Sequence, residues 1–164
     1  SIIFSSAYNS DTWTTGFGYT DSNFRIKKDH GHRNGGWGTS LMTMDRSGNV
    51  TFAGNVTAYS DERLKTEIKT IENPLDTISK LRGVTFKWKE SGDDSMGVIA
   101  QEVEAIAETK CLVSETPEDG NGDINPKNVA YGNMVGLLIE GMKEQQTVIN
   151  RLVQDIKDLK DKIK

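Results

Sequence analysis

The C-terminal part of the chain carries the most regular hydrophobic pattern, because the spacing of apolar residues from 149 to 163 alternates between three and four. A heptad pattern of this kind predicts one long helix, here over residues 132–164, whose apolar seam packs against other helices. A helix packed on its own domain would need a partner surface that the preceding sequence hardly provides. The seam residues are Ile149, Leu152, Ile156, Leu159 and Ile163.

The number of helices in the predicted coiled coil depends on the residues that flank the seam. Isoleucine and leucine alternating at the two core positions favour a two-stranded coil. Val148 and Val153 widen the apolar stripe on both sides, however, and a wide stripe favours three or more helices, because each helix then contacts two neighbours. We therefore predict a parallel homotrimer.

Residues 60–131 have the mixed pattern of a small α+β unit. Asn73 and Pro74 are predicted to be the cap and the first residue of a helix that Gly83 ends. Val84, Phe86 and Trp88 then alternate with polar residues, as in a half-buried strand.

The rest of this unit is predicted from shorter signals. A turn over residues 91–95 precedes apolar residues at helical spacing from Ile99 to Ile106. Short strands are predicted at 111–113 and 129–131, on either side of a polar loop.

Residues 1–59 are rich in glycine and small polar residues and contain short alternating runs, which predict strands. The clearest runs are 24–26, 41–44 and 50–52, and the clearest turn is 45–49. This segment has too few long aliphatic residues to bury much surface alone. We therefore expect the β-rich segment to complete its core by oligomerising. The predicted fold class of the whole chain is α+β.

Composition excludes several classes of function. The 164 residues carry a net charge of −4 without a dense cluster of lysine or arginine, so no nucleic-acid partner is expected. The longest apolar run, 135–142, contains Glu140 and is too short to span a bilayer. Cys111 is the single cysteine, which excludes an internal disulfide and favours a reducing compartment. The chain begins with Ser1, and we expect it to be a fragment without an export signal of its own.

The run Ser60-Asp-Glu-Arg-Leu-Lys65 stands between the two β-containing zones and places a hydroxyl near a possible base. A lysine serves as a base when burial or neighbouring positive charge favours its neutral form, and Arg63 is a candidate for that influence. Five residues on an α-helix rotate by about 140°, and on a strand they lie about 17 Å apart. Ser60 and Lys65 therefore meet only across a turn or between chains. The alternative is a serine helix cap followed by a solvated turn.

This run resembles the S-D-x-R-L-K signature of the intramolecular chaperone auto-processing domain. That domain ends phage endosialidase tail spikes and tail fibres, and also occurs in myelin regulatory factor proteins. Three further stretches are similar to the family: residues 47–58, 96–103 and 129–131. The resemblance implies a fibre end over residues 1–59 and the chaperone domain over residues 60–164.

The resemblance also implies a mechanism. The domain trimerises, helps the upstream β-rich region of its own polypeptide to fold, and is then released by autoproteolysis. Ser60 would be the nucleophile and Lys65 its general base, and the family suggests that the Ser60–Asp61 bond is cut. Attack of a hydroxyl on its own residue's carbonyl closes a four-membered ring, whereas attack on the Tyr59 carbonyl closes a five-membered one. Attack from another chain removes this objection. The cleaved bond is therefore not decided between Tyr59–Ser60 and Ser60–Asp61.

The same resemblance places the protein in the tail fibre or tail spike of a virion assembled in the bacterial cytoplasm. The released chaperone is not expected in the mature virion, and the parent fibre could meet a host cell-surface receptor. The alternative function is a permanent trimerisation clamp or a receptor-binding fibre tip that is never cut.

No cofactor is expected, and the only candidates for a metal site are weak. His30 and His32 are two residues apart, which places both imidazoles on one side of a strand. In a threefold fibre, three such pairs could surround one axial metal ion. Plain surface histidines are the favoured interpretation.

Overall fold

The computed structural model describes residues 2–5, 11–17, 22–30, 38–116 and 125–163. The contacts divide the chain into two compact units, Ser1–Thr66 and Glu67–Lys164. The domain boundary predicted before Ser60 lies close to this division and remains a prediction.

The first unit is a five-stranded antiparallel sheet whose strands are neighbours in chain order. The strands predicted around residues 24–26, 41–44 and 50–52 are confirmed, while the two strands before them lack a regular alternation and were not predicted. The strands are β1 (Ile2–Ser5), β2 (Asp11–Phe17), β3 (Phe24–His30), β4 (Thr39–Met44) and β5 (Val50–Phe52).

The turn predicted between β4 and β5 is confirmed. The Asp45 carboxylate accepts hydrogen bonds from the backbone N–H groups of Ser47 and Asn49, both at 2.9 Å. Gly48 has a φ of 83°, which a side chain would strain. The side-chain hydrogen bond from Asn49 and the backbone hydrogen bonds lower the pKa of Asp45.

The sheet has little interior of its own. None of the side chains described in residues 15–17, 22–28 and 38–66 is buried. Phe17 and Phe24 pack edge to face with ring centroids 5.8 Å apart, yet Phe17 stays largely exposed. The described side chains therefore supply little of the burial that usually stabilises a sheet, and they leave apolar surface exposed.

The second unit mixes helices with two short hairpins, which confirms the α+β fold class. Its elements are α1 (Pro74–Lys80), β6 (Val84–Lys87), β7 (Asp94–Gly97), α2 (Ala100–Ala105), β8 (Val113–Glu115), β9 (Lys127–Val129) and α3 (Met134–Ile163). β6 pairs with β7, and β8 pairs with β9, both antiparallel.

Helix α1 begins at Pro74 as predicted, but the predicted capping role of the Asn73 side chain is wrong. Asn73 is left-handed, with a φ of 48°, and its side chain makes no capping hydrogen bond. The Glu144 carboxylate of α3 accepts the N–H of Leu75 at 3.1 Å and satisfies that helix end instead. The helix ends at Lys80, before Gly83.

Two details of the β6–β7 hairpin differ from the sequence analysis. Trp88 lies just beyond β6 and is 58% exposed, so it is not part of the buried face of the strand. It packs edge to face on Phe86, with ring centroids 5.3 Å apart. Strand β7 begins at Asp94, inside the turn predicted over residues 91–95, since the polar Asp94 and Ser95 give no strand pattern.

The core of the second unit is small. Val103 of α2 is 1% exposed and Leu137 of α3 is 6% exposed. The buried Thr109 hydroxyl donates to the Val103 carbonyl at 2.8 Å, so its burial leaves no unpaired donor. Helix α1 packs on α3, where the absence of a side chain at Gly141 makes room for Ile78.

Helix α3 runs for 30 residues and confirms the predicted long helix. Every described residue of its C-terminal half, from 149 to 163, is exposed, and these include all five predicted seam residues. The coiled coil, and its formation from three helices, remain predictions. Among the described residues, no helix is long and apolar enough to cross a bilayer.

Candidate active site

A short turn joins Ser60 to Lys65. Residues Glu62–Leu64 form one turn of 3₁₀ helix, and the Asp61 side chain caps it by accepting the N–H of Arg63 at 2.9 Å. The backbone N–H of Lys65 donates to the Glu62 carbonyl at 3.0 Å, which fixes where the lysine side chain begins.

This turn brings the two predicted catalytic side chains into contact. The Nζ of Lys65 donates to the Oγ of Ser60 at 2.7 Å and to the Ser60 carbonyl oxygen at 3.1 Å. Of the two arrangements that the spacing allowed, the contact across a turn within one chain is therefore present. The described geometry fits proton transfer between a hydroxyl and an amine, since the two atoms are within hydrogen-bond reach.

Arg63 faces Asp61, and not the lysine. Its Nη2 lies 2.6 Å from the Oδ2 of Asp61, and its Nε lies 3.0 Å from the Oδ1. The side-chain hydrogen bond from Arg63 lowers the pKa of Asp61, and the same bond raises the pKa of Arg63. The positive charge that the sequence analysis assigned to activation of Lys65 is thus compensated by a carboxylate.

Sequence reasoning treated Asp61 only as one side of the bond to be cut and missed its role as a cap. The signal was present, because an aspartate side chain commonly accepts the backbone N–H of the second residue after it.

The Ser60–Lys65 pair is open to solvent in the single chain. Both residues are exposed, and so are their apolar neighbours Tyr59, at 96%, and Leu64, at 72%. The single chain therefore brings the two side chains together but does not shield them from water.

The histidine pair stays a prediction. His30 ends β3, while its side chain and all of His32 lie outside the described residues. Among the residues that the structure describes, no group of three or more histidine, cysteine or acidic side chains could hold a metal ion.

Comparison with known proteins gives three findings. Residues 60–112 match the family model described as "Chaperone of endosialidase". The chain is 30% identical over 151 residues to the long tail fiber protein Gp37 of Salmonella phage S16, with 79% of this chain aligned. It spans only 20% of that relative.

A solved structure is also similar, at 10% identity and with a TM-score of 0.42. It is the carboxy-terminal domain of the bacteriophage T5 L-shaped tail fiber with its intra-molecular chaperone domain, and the match covers 88% of this chain and 49% of that one. The family match begins at Ser60, the first residue of the motif, and confirms the resemblance that the motif predicted.

Proposed function

Because residues 60–112 match the chaperone-of-endosialidase family, we propose that the chain is the end of a phage tail fibre with an intramolecular chaperone that cuts itself off. The chaperone trimerises, folds the fibre end over residues 1–59, and is released by one cleavage beside Ser60. The observation that carries the cleavage is the 2.7 Å contact between the Nζ of Lys65 and the Oγ of Ser60.

The proposed reaction is an acyl transfer followed by hydrolysis. Neutral Lys65 accepts the proton of the Ser60 hydroxyl while the Oγ attacks a carbonyl carbon. The peptide nitrogen leaves with that proton, and an ester on Ser60 remains. Water then hydrolyses the ester, which completes a single turnover for each chain.

We place the cut at the Ser60–Asp61 bond. The second hydrogen bond of Lys65 supports this assignment, because it goes to the Ser60 carbonyl oxygen, which belongs to that bond. The Oγ that attacks this carbonyl would come from another chain, since attack within Ser60 itself closes a four-membered ring. Cleavage between Tyr59 and Ser60 is the alternative, because attack within the chain then closes a five-membered ring.

Burial supports the chaperone part of the proposal. The sheet of the first unit has no buried side chain among those described, and the core of the second unit is small. Both units therefore gain from packing against further copies, and the exposed seam of α3 is the element best suited to bring three copies together. Assembly of the fibre in the bacterial cytoplasm and loss of the chaperone from the virion follow from the same proposal.

Expression of the chain followed by a denaturing gel and intact mass measurement tests the proposal. We expect two fragments, 1–60 and 61–164, from the wild type, and one intact chain from Ser60→Ala and from Lys65→Ala. Thr66→Ala and Lys69→Ala are matched controls from the same exposed stretch and should be cut normally. Fragments 1–59 and 60–164 would move the cut to the preceding bond. A wild-type chain that folds as a trimer and stays whole would support the permanent clamp instead.

A further inference from the structure

We infer that Arg63 is a positioning residue for the cleavage, because it holds the Asp61 carboxylate inside the turn that joins Ser60 to Lys65 and away from the lysine. This inference rests on the proposed function, since it concerns the same reaction. Neither the Arg63 nor the Asp61 side chain hydrogen-bonds to the Oγ of Ser60, so both would influence the reaction through Lys65.

The first part of the argument is geometric. Three donors of Arg63 converge on one carboxylate: its backbone N–H at 2.9 Å, its Nε at 3.0 Å and its Nη2 at 2.6 Å. A planar guanidinium fixes a carboxylate in two directions, which a single hydrogen bond cannot do. The side-chain fork therefore tightens the same cap that starts the 3₁₀ turn, and the turn sets the position of the Lys65 backbone.

The turn is what makes the contact between Ser60 and Lys65 possible. In an extended chain the Cα atoms of the two residues would lie about 17 Å apart, too far for their side chains to meet. In the turn, the Nζ of Lys65 lies 2.7 Å from the Oγ of Ser60. Displacement of a reacting group by about 1 Å costs on the order of a hundredfold in rate. A loose turn is thus expected to slow cleavage even though both reacting side chains remain.

The second part of the argument concerns charge. Asp61 is adjacent to Ser60, and a free carboxylate there would attract the ammonium of Lys65. An ion pair with a carboxylate favours the protonated form of a lysine, which cannot act as a base. By binding this carboxylate, Arg63 removes that competitor while the carboxylate still caps the turn.

The charge argument predicts an unusual rescue, whereas loss of the fork alone would leave the double variant slow. Arg63→Gln loses the fork and frees the carboxylate, so we expect cleavage to slow by about tenfold or more. In the double variant Asp61→Asn/Arg63→Gln, the asparagine still accepts the N–H of residue 63 as a cap but carries no charge. We expect the double variant to recover to within a few-fold of the wild-type rate. A purely structural role of Arg63 predicts no recovery, with the double variant cleaved no faster than Arg63→Gln.

Cleavage rates are measured on the full chain by pulse-labelled cell-free translation, with samples resolved on a denaturing gel. Arg46→Gln, an exposed arginine in the β4–β5 turn, is the matched control and should not change the rate. Arg63 is 87% exposed at its side chain, so its replacement disturbs no core. Thermal unfolding of each variant in the Ser60→Ala background checks that the fold is unchanged.

The outcomes separate the two proposals. A cleaved wild type with an Arg63→Gln variant that is cut at the same rate overturns the positioning role and leaves the proposed function standing. A double variant as slow as Arg63→Gln also overturns it. An uncleaved wild type overturns both.

Discussion

Replacement of Ile156 by alanine is the sharpest test of the predicted trimer. Ile156 is 52% exposed in the single chain. Full burial of an isoleucine side chain is worth about 1.5–3 kcal/mol, so covering the exposed half contributes about 0.8–1.5 kcal/mol per chain. Three chains lose about 2.4–4.5 kcal/mol together when the side chain is truncated. That loss corresponds to a weakening of the overall association constant by a factor of roughly 50 to 2000.

The assay is sedimentation equilibrium of the full chain in the Ser60→Ala background, which prevents loss of the helix by cleavage. We expect wild-type chains to fit a trimer and the Ile156→Ala chains to dissociate at a higher concentration. Lys157→Ala changes the neighbouring position outside the seam and is the control. Alanine is a better helix former than isoleucine, so weaker association cannot result from a weaker helix.

Three results would refute the reasoning. Association that is unchanged by Ile156→Ala would mean that the seam does not form the interface. Equal weakening by Lys157→Ala would mean that the effect is not specific to the apolar face. A dimer in place of a trimer would show that the two flanking valines were given too much weight.

Two further predictions concern the second unit. A Cβ at position 141 would overlap the Cδ1 of Ile78, so Gly141→Ala forces the end of that side chain to move, at a cost of about 1 kcal/mol that offsets the gain of about 1 kcal/mol in helix propensity. In the Ile78→Val background that methyl group is absent, so Gly141→Ala should stabilise the chain there by about 1 kcal/mol. Equal effects of Gly141→Ala in the two backgrounds, measured by thermal unfolding, would contradict the packing argument. Arg82 holds the pKa of Glu102 below its ordinary 4.5 through a side-chain hydrogen bond. A carboxylate with a lowered pKa stabilises the fold above its unfolded pKa and loses that effect as the pH falls through its folded pKa. The unfolding midpoints of wild type and Arg82→Gln should therefore differ at neutral pH and converge below pH 4.5, and a constant gap would contradict the ion pair.

The elements that the sequence predicted well are those with a strong local period. The seam of α3 and the alternation in β3, β4 and β5 repeat over several residues, so the periodicity alone defines them. Strand β7 has no such period, because its first two residues are polar and it is held by pairing with β6. Its strand character comes from pairing partners seven to thirteen residues away, which a local pattern does not contain.

Asn73 stands at the cap position of α1 as predicted, but the expected side-chain hydrogen bond was wrong for a similar reason. Asn73 is a favoured capping residue by type, and local reasoning assigned it that role. The structure satisfies the N–H of Leu75 with Glu144, a residue 69 positions later in the chain. The sequence of the first helix cannot reveal a cap that depends on how α3 packs against it.

The candidate site was predictable in its residues and in the need for a turn, but not in its electrostatics. The spacing excluded a helix and a strand, and the family signature identified Ser60 and Lys65 as a pair. What the residue types could not decide was whether the positive charge of Arg63 acts on Lys65 or is bound by Asp61. The short hydrogen bond from the Nη2 of Arg63 to the Asp61 carboxylate decides for Asp61.

The exposure of the site bears on when the proposed cleavage takes place. Ser60 and Lys65 already touch within one chain, so a second chain is not needed to bring the lysine to the hydroxyl. What a single chain lacks is the exclusion of water, since both residues and the apolar side chains of Tyr59 and Leu64 are exposed. Packing of further copies onto these apolar side chains would favour the neutral form of a lysine there. In the proposed mechanism, assembly therefore activates a pair that local structure has already formed, and a chain that has not assembled keeps its chaperone.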